Sequence, residues 1–129
     1  MQITKIQGTN MELTDAIKSY VEEKLFGLQK LTQNFEPVKI DVELADESGR
    51  HKQGNHFRCE FNCEIPGELL RVSYKHEDLY AAIDLARDDL RRQIFRTKGK
   101  LESKQRKGEN MWKKIRNKFP GGKSDDELG

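Results

Sequence analysis

The sequence predicts an α+β domain of order β-α-β-β-β-α, a four-stranded mixed sheet with two helices packed on one of its faces. Three observations predict it. Residues 38–44, 57–65 and 70–74 alternate apolar and polar side chains with a period of two, as half-buried strands do. Two further stretches carry apolar residues at three-to-four spacing, the mark of a helix laid on a core. One of those helices lies between the first strand and the second. That pair is therefore expected to be parallel through a right-handed crossover, and tight turns make the later pairs antiparallel.

Taken in order, residues 1–8 (MQITKIQG) read as a strand with Gln2, Thr4 and Ile6 on one face and Ile3 and Lys5 on the other. Thr14 is placed to cap a helix that has Asp15 in its first turn, where a negative charge meets the positive helix end. Ile17, Tyr20, Val21, Leu25, Leu28 and Leu31 form its apolar stripe, which carries the helix to residue 31. Gly27 weakens it by ~1 kcal/mol relative to Ala. Lys24 falls inside the apolar arc. Its stem can pack while the ammonium snorkels to the helix edge, or it can point along a groove between two helices toward an anion.

Pro37 ends the linker, and Val38, Ile40, Val42 and Leu44 alternate with Lys39, Asp41 and Glu43. Residues 46–55 (DESGRHKQGN) are a polar, glycine-containing loop. Phe57, Cys59, Phe61, Cys63 and Ile65 make the next strand; Pro66-Gly67 turns the chain into Leu70, Val72 and Tyr74. Residues 75–107 then read as one long helix with Leu79, Ile83, Ala86, Leu90, Ile94 and Leu101 on its core stripe. Each strand has one apolar face, so both helices should cover the same side and leave Lys39, Asp41, Glu43, Arg58, Glu60 and Glu64 on a wet face.

With 129 residues, 36% charged, and a mean hydropathy of −0.91, the chain suits one domain, residues 1–104, followed by a basic amphipathic tail, residues 105–129. It contains no apolar run long enough to span a bilayer and no signal-peptide pattern at its start, which sets the expectation of a cytoplasmic protein without a membrane partner. The net charge of +2 conceals an asymmetry. Residues 87–118 hold 13 Lys/Arg against 4 Asp/Glu, while the remainder holds 11 against 18. At about 100° per residue, Arg87, Arg91 and Lys98 gather on one shoulder of the long helix and Arg92, Arg96 and Lys100 on the other. A concentrated cationic block on an otherwise acidic chain points to a polyanion, with nucleic acid the first candidate. The wet sheet face is mixed in charge and has no exposed aromatic pair, so the helical side is the expected interface. In the tail, Met111, Trp112, Ile115 and Phe119 among Lys113, Lys114, Arg116 and Lys118 suit a short amphipathic helix for an RNA, protein or membrane surface, and the free protein is expected to keep this tail flexible.

Catalysis has no visible residues to act with. Cys59 and Cys63 lie four apart on one strand, roughly 13 Å between side chains, so they read as two small buried hydrophobes and not as a disulfide or a metal pair. His51, His56 and His76 are dispersed without ligand spacing, and no glycine-rich phosphate loop or nucleophile motif occurs. Glu22-Glu23 and Asp88-Asp89 read as solvated charges, the latter able to pair with the basic clusters. No cofactor or metal is expected. A free double-stranded-RNA-binding or RNA-chaperone module, and an interaction protein with a basic tail for an acidic partner, both fit the same composition.

The stretches GTNMELTDAI, VxxKL at residues 21–25, KHEDLYAAID and LRRQIFRTKGKL resemble the ribosome hibernation-promoting factor and ribosome-associated inhibitor family over residues 1–104. The resemblance implies the same β-α-β-β-β-α fold, similar to a double-stranded-RNA-binding domain. It implies a protein bound to the small ribosomal subunit, its rRNA and ribosomal proteins, in the decoding channel across the tRNA and mRNA sites, where it silences idle ribosomes; the free protein is expected to be a monomer. It places rRNA-contacting cations at Lys24, Arg92, Arg96, Lys98 and Lys100. A basic residue usual in these relatives is replaced by Gly27 and another by Asp89, and Arg87 and Arg91 flank Asp89 as the candidates to compensate. The length resembles the family's short form, and the tail resembles the kind that prevents ribosomes from pairing in length more than in its basic-aromatic sequence.

Overall fold

The structure, a computed structural model, describes residues 1–34, 36–49 and 55–118, and the side chains of residues 101 and 104–118 are outside it. The elements run β1 (Gln2–Thr9), α1 (Asp15–Phe26), α2 (Gln29–Thr32), β2 (Lys39–Asp46), β3 (Phe57–Ile65), β4 (Glu68–His76) and α3 (Leu79–Lys118). The sheet order is β1-β2-β3-β4, with β1 and β2 parallel and the other pairs antiparallel, which is the expected mixed sheet. Two compact units divide the chain, Met1–Phe95 and Arg96–Gly129, and each is described by itself.

The first unit is built on one core. Ile40, Val42 and Leu44 of β2, Cys59, Phe61 and Cys63 of β3 and Val72 of β4 all turn to the side on which Val21 and Leu25 of α1 and Leu79, Ile83, Ala86, Leu90 and Ile94 of α3 are buried. Period-two strands and period-3.6 helices have thus presented their apolar faces to each other. Phe61, at the centre of the sheet, is fully buried. Cys59 and Cys63 are free and buried; loss of hydration pushes both thiols up, Cys63 to about 12, so both stay protonated and unreactive at neutral pH.

Four local expectations are corrected. In β1, Ile3 and Ile6 do not face opposite ways: the register to β2 slips between Ile3 and Lys5, and the extra residue lets both isoleucines pack on the core. The odd residue, Thr4, turns its hydroxyl to the Ile40 carbonyl (3.2 Å) and to the Asp41 carboxylate. Strict alternation failed in β1 because the strand is bulged. Second, the first helix does not run unbroken to residue 31. It ends at Phe26, and after Gly27 the chain tightens, with the Leu28 amide donating to the Leu25 carbonyl (2.9 Å), before the short α2. The tightened turn keeps Leu25 and Leu28 both fully buried. Third, the long helix begins at Leu79 and not at residue 75, because Lys75 and His76 are spent on pairing with Arg58 and Phe57. Asp78 caps it by accepting from the Tyr80 amide (3.0 Å). It also passes residue 107 to reach Lys118.

Fourth, the outer sheet face is not uniformly wet. Arg58 is only 17% exposed and donates to Glu43 (2.6 Å), Glu47 (3.1 Å) and Glu60 (3.3 Å). Ala45, registered between Thr9 and Arg58, is buried on that side. Expectations for residues 50–54, His51 among them, for Leu101, and for the side chains of Met111, Trp112, Ile115 and Phe119 lie outside the described residues.

Candidate nucleic-acid interface

Four of the seven candidate cations, Lys24, Arg87, Arg91 and Arg92, belong to the first unit. Arg96, Lys98 and Lys100 belong to the second, where they lie on α3 with Arg96 and Lys100 exposed and Lys98 half-buried. In the first unit, α1 is held at its start by Thr14, whose hydroxyl accepts from the Ile17 amide (3.2 Å). The burial of Val21 and Leu25 then fixes its rotation. Lys24, next to Leu25, is left at the edge of the buried stripe, facing α3.

There its ammonium lies 3.3 Å from a carboxylate oxygen of Asp84 and 5.3 Å from the centre of the Tyr20 ring. Lys24 thus lies in a groove between two helices, and the anion it meets in the free protein is the chain's own. The Tyr20 hydroxyl donates to the same Asp84 oxygen (2.7 Å), and its ring stands edge-on to Tyr80 with centroids 4.8 Å apart. That hydrogen bond, with burial and the Asp84 charge, pushes the Tyr20 phenol up to about 12.

On α3, Arg87 and Arg91 lie within about 60° of Asp84 around the helix axis, on the shoulder turned to α1. A β-carbon added at Gly27 would stand 3.6 Å from a terminal nitrogen of Arg87 and 3.4 Å from the Lys24 carbonyl. The guanidinium therefore lies over the end of α1, at ordinary contact distance from where a side chain at Gly27 would begin. This also sets it beside the negative end of the helix. Its other terminal nitrogen pairs with Asp88 at 2.9 Å, and its Nε is buried and has no partner among the described residues. Arg91 is exposed and, among the described residues, has no carboxylate partner. Arg92, on the opposite shoulder, is 62% exposed and 3.7 Å from Asp89, which in turn accepts from the Tyr74 hydroxyl (3.0 Å). Asp89 is 23% exposed and so is not the simply solvated charge the sequence suggested. It ties α3 to β4.

Sequence reasoning missed Tyr20, Tyr80 and Asp84. The available signal was a pair of four-residue spacings, Tyr20 with Lys24 and Tyr80 with Asp84. Nothing in either helix alone says that the two pairs meet across a groove.

A family model described as Sigma 54 modulation protein / S30EA ribosomal protein matches residues 4–102. The ribosome hibernation promotion factor of Deinococcus radiodurans is 32% identical over 108 residues, covering 84% of this chain and 55% of the relative. The chain therefore spans about half the length of that relative. The ribosome hibernation promoting factor of Azotobacter vinelandii is 33% identical over 106 residues, covering 81% of this chain and 90% of the relative. Among solved structures, the N-terminal domain of Thermus thermophilus Protein Y superposes with a TM-score of 0.65 at 40% identity, covering 75% of this chain and 99% of that one. A ribosomal subunit interface protein from Coxiella burnetii shares the fold, with a TM-score of 0.60 at 20% identity over 77% of this chain and 99% of that one. The Deinococcus and Azotobacter relatives carry the name to which the KHEDLYAAID and LRRQIFRTKGKL stretches pointed, and with most of the chain inside the match, this chain belongs to the Sigma 54 modulation protein / S30EA ribosomal protein family.

Proposed function

We propose that this protein silences idle ribosomes by binding the small subunit in its decoding channel, across the tRNA and mRNA sites, through its helical side. The observation that carries the reading is where the candidate cations of the first unit stand. Lys24, Arg87, Arg91 and Arg92 all lie on the helical layer, whereas Arg58 on the outer sheet face is consumed by three glutamates. The names of the relatives support a ribosomal partner, and residues 1–104 are the part that binds it. Arg96, Lys98 and Lys100 add cations from the second unit.

The mechanism is steric and electrostatic. Guanidinium forks take phosphate oxygens in pairs and ammonium groups act as point charges, so rRNA backbone is held without reading its sequence. The layer of α1 and α3 then fills space that tRNA and message would occupy. No bond is made or broken, and the inhibition ends when the protein leaves.

Co-sedimentation with purified small subunits at moderate salt tests this. Arg92→Glu/Arg96→Glu reverses two charges on exposed residues and should abolish pelleting of the full chain. Undiminished pelleting of that variant would assign binding elsewhere. Naked duplex RNA should compete poorly; competition equal to that of subunits would favour a general duplex-RNA-binding module.

A further inference from the structure

Three of the four candidate cations of the first unit are already matched by carboxylates of α3: Lys24 by Asp84, Arg87 by Asp88 and Arg92 by Asp89. Two of these pairs join near neighbours on one helix. Lys24 differs, because its partner reaches it from the other helix and is held by a third residue.

The Asp84 oxygen that faces Lys24 also accepts from the Tyr20 hydroxyl, and Tyr20 is braced edge-on by Tyr80. The carboxylate is therefore not free to rotate away when another anion approaches. Both partners are accessible, Lys24 at 35% and Asp84 at 44% exposure, so an RNA phosphate can reach the ammonium, but only by coming close to a fixed negative charge. A solvent-exposed ion pair of this kind separates at small cost. The groove is thus masked, not blocked.

From this geometry we propose that Asp84 is a specificity-determining residue: it neutralises Lys24 in the free protein and so suppresses binding to arbitrary polyanions, leaving Lys24 to engage only RNA already held by neighbouring cations. The idea rests on the reading that this groove meets rRNA. Diffuse attraction to any phosphate chain depends on the number of unpaired cations a protein offers. Masking Lys24 lowers that attraction everywhere. A docked partner recovers the charge, since a contact at Arg91, on the same shoulder of α3 as Asp84, holds its phosphates beside Lys24 despite the carboxylate.

The test titrates full-length protein against a labelled RNA duplex of about 20 base pairs and, separately, against purified small subunits. Asp84→Asn keeps an oxygen for the Tyr20 hydroxyl and removes only the charge. Its duplex affinity should rise about two- to fivefold, and the slope of log affinity against log salt should steepen by up to ~0.9. The gain should vanish when Lys24→Gln is added, and subunit affinity should rise by a smaller factor. Asp84→Ala, which also gives up the Tyr20 hydrogen bond, should shift duplex affinity in the same direction. Duplex affinity that stays level or falls in Asp84→Asn, or a gain that survives Lys24→Gln, overturns the inference. Failure of the unaltered protein to bind small subunits would instead overturn the proposed function, and the duplex titration would still decide what Asp84 does.

Discussion

Tyr20 shows how much one side chain can couple. Its ring supports the Lys24 ammonium and meets Tyr80, while its hydroxyl holds Asp84. Because the proton on that hydroxyl is shared with a carboxylate, removing it would set two negative charges together, and ionisation is deferred to about 12 from an ordinary 10.0. A group whose folded value lies above its unfolded value contributes stability that is complete below the unfolded value and lost as pH rises through the folded one. The unfolding free energy should therefore fall between about pH 10 and pH 12, and Tyr20→Phe should flatten that part of the curve. Denaturant titrations of both proteins across this range check it; parallel curves would mean the hydroxyl is not held. The opposite sign applies to Glu43. The hydrogen bond from Arg58 and that from Thr9 hold its carboxyl below the ordinary 4.5 against the cost of burial. Its contribution is complete above that value and is lost as pH falls through the folded one. Arg58→Ala should thus weaken the dependence of stability on pH on the acid side.

At the scale of elements, β1 is the least regular and the most constrained. Its bulge at Thr4 turns Ile3 and Ile6 to one side, and its other end is closed by Gly8, where a β-carbon would stand 2.8 Å from the Met11 carbonyl oxygen and 3.0 Å from Leu13. Backbone cannot yield there as a flexible side chain would. Gly8→Ala should cost about 1–3 kcal/mol, from overpacking alone, read as a lower denaturation midpoint with an unchanged slope. An unchanged midpoint would show that the turn after β1 can open. The chain leaves that turn through Asn10 at φ 57, a left-handed conformation that Asn tolerates better than most residues. On α1, the tightening after Gly27 keeps Leu28 buried, and the Arg87 guanidinium lies over the helix end.

For the whole molecule, the count of cations overstates the charge on offer. If all seven candidates met phosphate, the slope of log affinity against log salt would approach about −6. Lys24, Arg87 and Arg92 begin paired with aspartates, so the measured slope for small subunits between about 50 and about 200 mM salt should be shallower than that. A slope at or beyond it would mean that the aspartates release their partners completely on binding.

Most of the architecture was legible in the chain itself. Alternation in residues 38–44 and 57–65, and three-to-four spacing from Leu79 to Ile94, reflect the requirement that each element bury one face, and that requirement is local. The concentration of cations in residues 87–118 was equally readable, because charge is counted without coordinates. The bulge in β1 and the start of α3 were not, since each depends on which residues a neighbouring strand claims. Only the tertiary structure decided which cations are free and which are masked. An ion pair such as Lys24 with Asp84 joins residues 60 positions apart, and its strength depends on a separation of a few ångströms that only packed helices create.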